Sequence, residues 1–288
     1  MYVVFGATGN TGKVVASALL DRGAEVRVVV RDPAKVEALA ARGAEVVRGD
    51  VLDASTLAPA LAGAEGAYLL VPPDLASADL VGRGARIVDG LVGALREAAV
   101  PHAVVLSSVG AQHATGTGPI VITHYAETQL PKAQATRFTF VRAAYFMENL
   151  LSSVGAMKGD GVVPVFGGGE SYPFPMIATA DIGRVSAEAL LAPPSEHRWI
   201  ELAGPRDYSF ADAARIATEA LGREVRPLVL PIDAMVPTLT GFGLSANVAG
   251  LYREMTEGLA AGLVTFEGKG DAVRGTVTLE EVLSPALA

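Results

Sequence analysis

A glycine-rich turn near the amino terminus places the strongest constraint on the fold. Small residues, GATGNTG at 6–12, separate an apolar strand predicted at 2–5 from a helix predicted at 12–22. The first glycine allows a tight turn, the second lets an anion approach the free N–H groups of the helix, and the third lets the helix pack closely on the sheet. The G-x-x-G-x-x-G spacing therefore predicts a dinucleotide site. The residues expected to contact the pyrophosphate are Gly6, Thr8, Gly9, Asn10, Thr11 and Gly12.

Strands and helices alternate regularly through the first half of the chain. The predicted strands are 2–5, 25–30, 45–48, 67–71, 103–107 and 138–142. The predicted helices are 12–22, 33–42, 55–62, about 78–99 and 122–135. Several strands are continuous apolar runs, which is typical of a parallel sheet covered on both faces. This order predicts an α/β fold with a doubly wound, mostly parallel Rossmann sheet and with ligands at the carboxyl ends of its strands.

The pattern changes after about residue 150. The following elements are a stretch rich in glycine and proline, a helix, a strand and a second helix, at 157–177, 181–191, 199–204 and 210–221. Asp181 is interpreted as the N-cap of the first helix, and Ser209 and Gly222 as the caps of the second.

Two units are expected from this change. A dinucleotide-binding domain takes 1–150, and a smaller substrate lobe takes 151–288. Part of 178–205 is expected to pack back on the first domain.

Composition argues against several classes of function. The 288 residues include no cysteine, and the histidines lack metal-binding spacing, so no metal site is expected. The net charge of −8 argues against a nucleic-acid partner. The apolar runs break before the roughly 18 residues of a membrane span. Met1 leads directly into the first strand, and we expect a cytoplasmic protein that acts on a small molecule.

The end of the second strand indicates which dinucleotide binds. An acidic residue at this point favours NAD, whereas arginine favours the 2′-phosphate of NADP. The sequence VVVRDPAK contains both Arg31 and Asp32. Asp32 precedes Pro33, an ordinary helix start in which the aspartate caps the helix. We therefore expect Arg31 to bind the 2′-phosphate with help from Lys35, which predicts NADP(H) as the cofactor.

Residues that end later strands extend the expected cofactor site. Asp50 follows the third strand and could accept the adenine amino group, although a turn role is the alternative. Val71 and Pro72 end the fourth strand, where they could line the path of the ribose and pyrophosphate. Ser107 ends the fifth strand, near the expected nicotinamide.

Apolar residues in two later stretches are candidates for the floor of a substrate cleft. Tyr145, Phe146 and Met147 follow the sixth strand, and Phe174 and Met176 lie in the stretch rich in glycine and proline. Ordinary core packing is the alternative for each of them.

Several motifs together resemble a known family. They are GATGNTG, RDPAK, GDVLD, LSSVGA, VRAAYFMENL, PMIATADIGRVSAEAL and ELAGPRDYSFADAARIATEALGREV. Their order and spacing over roughly 1–225 are similar to those of the NmrA-like family of atypical short-chain dehydrogenases. The resemblance implies an NADP(H)-binding fold whose members include quinone reductases, isoflavone-reductase-like enzymes and redox-sensing regulators. The implied cofactor contacts are the glycine turn, Arg31, Asp50, Val51, Val71, Pro72 and the residues that follow Arg142, among them Tyr145.

The chain differs from a typical short-chain dehydrogenase in the residues that would supply the catalytic acid. That family carries Tyr-x-x-x-Lys, in which lysine lowers the pKa of the tyrosine. Here Tyr125 is followed four residues later by Gln129. Many relatives place lysine or histidine just before a glutamate at this point, and this chain has His124 and Glu127. His124 and Tyr125 are thus the catalytic candidates, and a helix-face histidine without a role is the alternative.

These observations favour an NADPH-dependent oxidoreductase that reduces a small quinone-like or carbonyl compound. Electron-poor acceptors such as quinones need no strong general acid, because the cofactor supplies the hydride. The alternative is an NADP(H)-sensing regulatory protein without turnover, which the missing dyad favours. A homodimer is left open.

Overall fold

The computed structural model describes residues 1–288. Its strands are β1 (Tyr2–Phe5), β2 (Val26–Val30), β3 (Glu45–Arg48), β4 (Gly66–Leu69), β5 (His102–Ser108), β6 (Arg137–Ala143), β7 (Tyr145–Phe146), β8 (Val162–Phe166), β9 (Phe174–Ile177), β10 (Arg198–Ala203), β11 (Asp207–Tyr208), β12 (Arg226–Leu230) and β13 (Asp271–Arg274). Its helices are α1 (Asn10–Asp21), α2 (Glu37–Ala40), α3 (Ala54–Leu61), α4 (Leu80–Ala98), α5 (Val121–Gln129), α6 (Val154–Gly159), α7 (Thr179–Leu191), α8 (Phe210–Leu221), α9 (Met235–Gly241), α10 (Ala246–Ala260) and α11 (Leu279–Leu287).

Eight parallel strands form the central sheet in the order β13-β10-β6-β5-β4-β1-β2-β3. The strand order reverses between β1 and β4, so a crevice opens at the carboxyl ends of the strands there. The prediction of a doubly wound Rossmann sheet is confirmed. A three-stranded sheet (β11-β9-β7) and a two-stranded sheet (β12-β8) lie outside it.

The sheet is buried on both faces, which explains its continuous apolar strands. In β1, Val4 belongs to one core cluster of 25 buried residues, while Val3 and Phe5 belong to another of 24 on the opposite face. A third cluster of 16 buried residues joins α8 and α11 to the two smaller sheets.

The central sheet takes strands from both halves of the chain. β10 pairs with β6, and β13 extends the sheet beyond β10. Helix α7 packs against α1 so closely that a Cβ on Gly183 would lie 2.4 Å from the Cβ of Val14.

The predicted caps are right for α8 and wrong for α7. Ser209 forms a capping box at the start of α8, and Gly222 ends that helix with a φ of +63°. Helix α7 begins at Thr179, and Asp181 lies inside its first turn. The buried Asp181 carboxylate instead accepts hydrogen bonds from the backbone N–H groups of Thr276 and Val277, at 2.8 and 2.9 Å. A distant loop therefore takes the acceptor that local sequence assigned to the helix.

Neither a membrane-spanning helix nor a metal-binding cluster is found in the structure. No helix combines the length and apolar character that crossing a bilayer requires. No three histidine, aspartate or glutamate side chains converge as metal ligands would.

Candidate active site

The glycine turn between β1 and α1 forms an open cradle of backbone donors. Gly6 has a φ of +68°, and a Cβ on Gly12 would lie 2.3 Å from the Gly6 carbonyl oxygen. Gly9 is the N-cap of α1, and no side chain caps the helix, which leaves its first N–H groups unsatisfied. Thr8, Gly9 and Asn10 are exposed. The turn thus presents unpaired N–H donors and the positive end of a helix dipole to an anion.

Thr11 lies in the same turn but its side chain faces the interior. It is buried, and its hydroxyl accepts a hydrogen bond of 3.0 Å from the hydroxyl of Tyr68. Only the backbone of Thr11 is therefore available to a ligand.

Two cations without protein partners lie just after β2. Arg31 and Lys35 are both exposed, and neither forms an ion pair with another side chain. The Asp32 carboxylate accepts a hydrogen bond of 3.2 Å from the backbone N–H of Ala34, which is the predicted capping role. Asp32 is thus turned toward the short 3₁₀ helix Pro33–Val36 that it caps, and the guanidinium of Arg31 is free for a phosphate.

The residues after β3 and β4 border the same crevice. One oxygen of Asp50 accepts a hydrogen bond of 3.0 Å from the backbone N–H of Leu52, so the turn role is real and the second oxygen stays free. Val51 and Val71 are half-buried and pack against the core cluster beneath α3 and α4. The half-buried Pro72 lines a small cavity with Val71.

A buried polar network occupies the carboxyl ends of β5 and β6. Ser107 and Arg142 are register partners, and both bind Glu127 of α5. Arg142 makes a two-pronged contact with the Glu127 carboxylate, at 3.0 and 2.7 Å. The Ser107 hydroxyl donates to it at 2.6 Å, and the Trp199 indole at 2.9 Å. The remaining terminal nitrogen of Arg142 reaches Glu267, at 2.8 Å.

This network was only partly visible in the sequence. An arginine inside the apolar run TFVRAA is a sequence signal of a buried ion pair. In the structure Arg142 is only 5% exposed. Its partner Glu267 lies in the C-terminal segment, where no local pattern points to it. Hydrogen bonds from Lys269 and Arg142 lower the pKa of Glu267 and keep it ionised.

His124 lies on α5 beside the loop that follows β5. Its Nδ1 is 2.8 Å from the carbonyl oxygen of Ala111, so Nδ1 carries a hydrogen and donates it to this carbonyl. The half-buried ring then has Nε2 available to a ligand. The structure brings His124 to the end of the sheet where Ser107 lies.

Tyr125 is not brought to that place. Its hydroxyl donates a hydrogen bond of 3.0 Å to the exposed carboxylate of Asp89 on α4. This bond raises the pKa of the Tyr125 phenol. The structure therefore gives no support to Tyr125 as a catalytic residue.

The aromatic residues after β6 form one wall beyond the network. Tyr145 packs edge-on against Phe174, with ring centroids 5.5 Å apart, and is 6.4 Å from Phe210. Phe146 packs toward the core cluster beneath α1 and α7. Burial raises the pKa of the Tyr145 phenol to about 12, so this phenol is protonated at neutral pH.

Met147 and Met176 belong to the core and not to the cleft. Both side chains are 0% exposed and pack in the third core cluster. A side chain enclosed in this way cannot contact a substrate in this conformation, so the alternative of ordinary packing holds for both.

Residues 245–267, called the roof segment below, cross the carboxyl edge of the sheet. The backbone N–H of Ser245 donates to the carbonyl of Leu75 after β4, at 2.9 Å. The Glu254 carboxylate accepts from the backbone N–H of Gly116 after β5, at 2.9 Å. The segment ends at Glu267 on the buried Arg142. It therefore joins the loops that follow β4 and β5 to the end of β6.

Comparisons with known proteins identify relatives over most of the chain. The sequence model of the NmrA-like family matches residues 2–262. The NAD(P)H azoreductase of Xenophilus azovorans is 29% identical over 88% of this chain and 86% of its own. Quinone oxidoreductase 2 of Escherichia coli K12 is 26% identical over 91% of this chain and 89% of its own.

A solved structure has the same fold over the whole length. The crystal structure of the NADPH-dependent quinone oxidoreductase of Escherichia coli, complexed with NADPH, superposes with a TM-score of 0.83. It covers 100% of both chains at 24% sequence identity.

Proposed function

The chain belongs to the NmrA-like family, and from this we propose that it is an NADPH-dependent oxidoreductase that reduces a small quinone-like or carbonyl compound. The azoreductase and quinone oxidoreductase to which it is similar over most of its length support this class of reaction. The family also includes regulators, so the site itself must carry the argument for this chain.

The observation that carries the proposal is the uncapped glycine turn beside two unpaired cations. The turn suits the pyrophosphate, and Arg31 with Lys35 suits a 2′-phosphate at the end of β2. Gly12 fits because a Cβ there would strike the Gly6 carbonyl oxygen. The residues therefore fit NADP(H) rather than NAD(H).

The rest of the cofactor site follows the carboxyl edge of the sheet. In this proposal Asp50 and Val51 hold the adenine, and Val71 and Pro72 line the ribose path. The backbone at Ser107 and the ring of Tyr145 border the nicotinamide. NADPH, when bound, supplies a hydride at this end of the cleft.

Two side chains of the chain act at the acceptor. The half-buried Phe146 gives the cleft an apolar wall that favours a flat acceptor over water, and Phe174 supports this wall from the core, since it is buried in the same cluster as Met147 and Met176. His124 is held by the Ala111 carbonyl, and its Nε2 can orient the acceptor or hold a proton near it. Electron-poor acceptors suit such a site, because they need no strong general acid.

A panel of acceptors tests the proposal. Purified protein is mixed with NADPH and either quinones or aldehydes, and with NADP⁺ and simple alcohols, while the reduced-nicotinamide absorbance is followed. We expect quinones to be reduced and alcohols not to be oxidised. Alcohol oxidation without quinone reduction contradicts the proposal. NADPH binding with no turnover of any acceptor supports the regulatory alternative.

Two further expectations stay predictions. A homodimer would appear in sedimentation equilibrium as twice the mass of 29.6 kDa. A cytoplasmic location would appear on fractionation of cells that express the protein.

A further inference from the structure

The tyrosines of the chain differ in whether their hydroxyls have a partner in the protein. The chain has seven tyrosines. Three hydroxyls are hydrogen-bonded to other groups of the protein, namely those of Tyr68, Tyr125 and Tyr208. Tyr172 is 72% exposed on a surface loop. Tyr2 opens β1, at the opposite edge of the sheet from the candidate site. The two that remain, Tyr145 and Tyr252, both lie near the candidate site.

Tyr252 lies on the roof segment, in the middle of α10. Its ring packs against an apolar cluster of Leu80, Ile122 and Val248, which Val71 also contacts. Val71 is one of the residues that border the proposed cofactor site. The ring of Tyr252 is thus placed under the roof, between the loops that follow β4 and β5.

The backbone around Tyr252 is held firmly. A Cβ on Gly118 would lie 2.0 Å from the carbonyl oxygen of Leu251, so the helix touches the loop after β5 directly. The Asn247 side chain accepts from the backbone N–H of Leu80, at 2.9 Å. The phenol of Tyr252 is therefore positioned by contacts on both sides.

The Tyr252 hydroxyl has no hydrogen-bond partner in the protein. The side chain is half-buried, and the hydroxyl is not enclosed by the protein, so it is open to a ligand in the cleft. Burial raises the pKa of Tyr252, and the nearby Tyr252 phenol contributes to the raised pKa of Tyr145. Both phenols therefore keep their protons at neutral pH, and the Tyr252 hydroxyl can donate to a ligand.

We propose that Tyr252 is a substrate-contacting residue whose hydroxyl donates a hydrogen bond to the acceptor oxygen, opposite Tyr145. The inference rests on the proposed function. The acceptor gains the hydride with its two electrons, its oxygen becomes an anion, and a proton from water completes the reduction. Tyr252 keeps its own proton and stabilises the charge that develops on the oxygen. It takes the place that the missing Tyr-x-x-x-Lys dyad leaves open.

Tyr252→Phe tests this directly, because it removes the hydroxyl and keeps the ring that packs under the roof. A hydrogen bond to a developing charge corresponds to roughly tenfold to a hundredfold in kcat/KM for the acceptor. The Kd for NADPH and the Tm should stay unchanged. The loss should be larger for aldehydes than for electron-poor quinones, since the weaker acceptors depend more on the donor. Tyr172→Phe, at an exposed tyrosine, is the matched control and should change nothing.

The outcomes separate this inference from the proposed function. If the wild-type protein reduces quinones and Tyr252→Phe does so within twofold for every acceptor, the inference is overturned and the proposed function stands. If the wild-type protein reduces no acceptor, quinone binding by calorimetry still tests the contact, and equal Kd values for the two proteins overturn it. Should Tyr252→Phe lower the Tm, Tyr252→His restores a donor, and failure to recover kcat/KM counts against the proposal.

Discussion

At the scale of single residues, His102 is a buried titratable group far from the proposed chemistry. It is 1% exposed in β5, with Nε2 at 3.2 Å from the Thr139 hydroxyl and no partner at Nδ1. Burial lowers the pKa of His102 to about 4. In the unfolded chain His102 therefore binds a proton near pH 6.5, whereas in the folded chain it binds one only near pH 4.

This difference predicts a loss of stability in acid. The free energy of unfolding should fall as pH decreases from about 6.5 to 4, by at most about 1.4 kcal/mol per pH unit from this group. His102→Gln should flatten that slope, and His113→Gln, on the loop after β5, should leave it unchanged. Urea unfolding at a series of pH values measures this slope of the free energy of unfolding against pH. Equal slopes for wild type and His102→Gln would show that His102 titrates normally.

His124 and Tyr125 are neighbours that the structure turns to different sides, which makes them a matched pair. His124→Ala should lower kcat for the acceptor, since a general acid or base contributes typically ~10²–10⁴-fold, and leave the Kd for NADPH nearly intact. Tyr125→Phe removes only a surface bond to Asp89 and should change kcat little. A loss below about threefold in His124→Ala would make it a helix-face histidine without a role.

At the scale of elements, a buried ion pair joins α5 to β6. Side chains of Glu127 and Arg142 are 7% and 6% exposed. Removing one partner leaves the other charge buried, so Arg142→Met should lower the free energy of unfolding by about 3–5 kcal/mol. The double variant with Glu127→Gln should be less destabilised than the two single losses added together.

Thermal and urea unfolding of the wild type, the two single variants and the double variant completes this double-mutant cycle. Arg253→Met breaks an exposed pair with Glu257 on α10 and should have little effect. A loss below about 1 kcal/mol in Arg142→Met would mean that water reaches the network.

Local patterns predicted those elements that local forces determine. Continuous apolar strands and the caps at Asp32 and Ser209 follow from neighbouring residues, and all are present. Strand β13 (DAVR) was missed because it is a short, mostly exposed edge with no apolar run. Asp181 was misassigned because its partners are 95 and 96 residues away.

At the scale of the whole molecule, the C-terminal segment completes the cleft that the first half of the chain begins. Glu267 reaches Arg142 across 125 residues, and the proposed donor Tyr252 lies on α10 of the same C-terminal segment. The glycine turn and Arg31 could be predicted from the sequence because they directly follow the first two strands. The acceptor side of the cleft could not be predicted in this way, because it is assembled from segments that are distant in the chain.

The central claim is that NADPH binds along this edge and reduces a quinone-like acceptor, with Arg31 selecting it over NADH. The direct measurement is the initial rate of quinone reduction with each cofactor, for wild type and Arg31→Ala. A charge-assisted contact of roughly 1.5–3 kcal/mol predicts a preference for NADPH of about 10–100-fold in kcat/KM. Arg31→Ala should remove that preference and leave the rate with NADH almost unchanged. Equal rates with both cofactors in the wild-type protein, or no quinone reduction with either, would contradict the account.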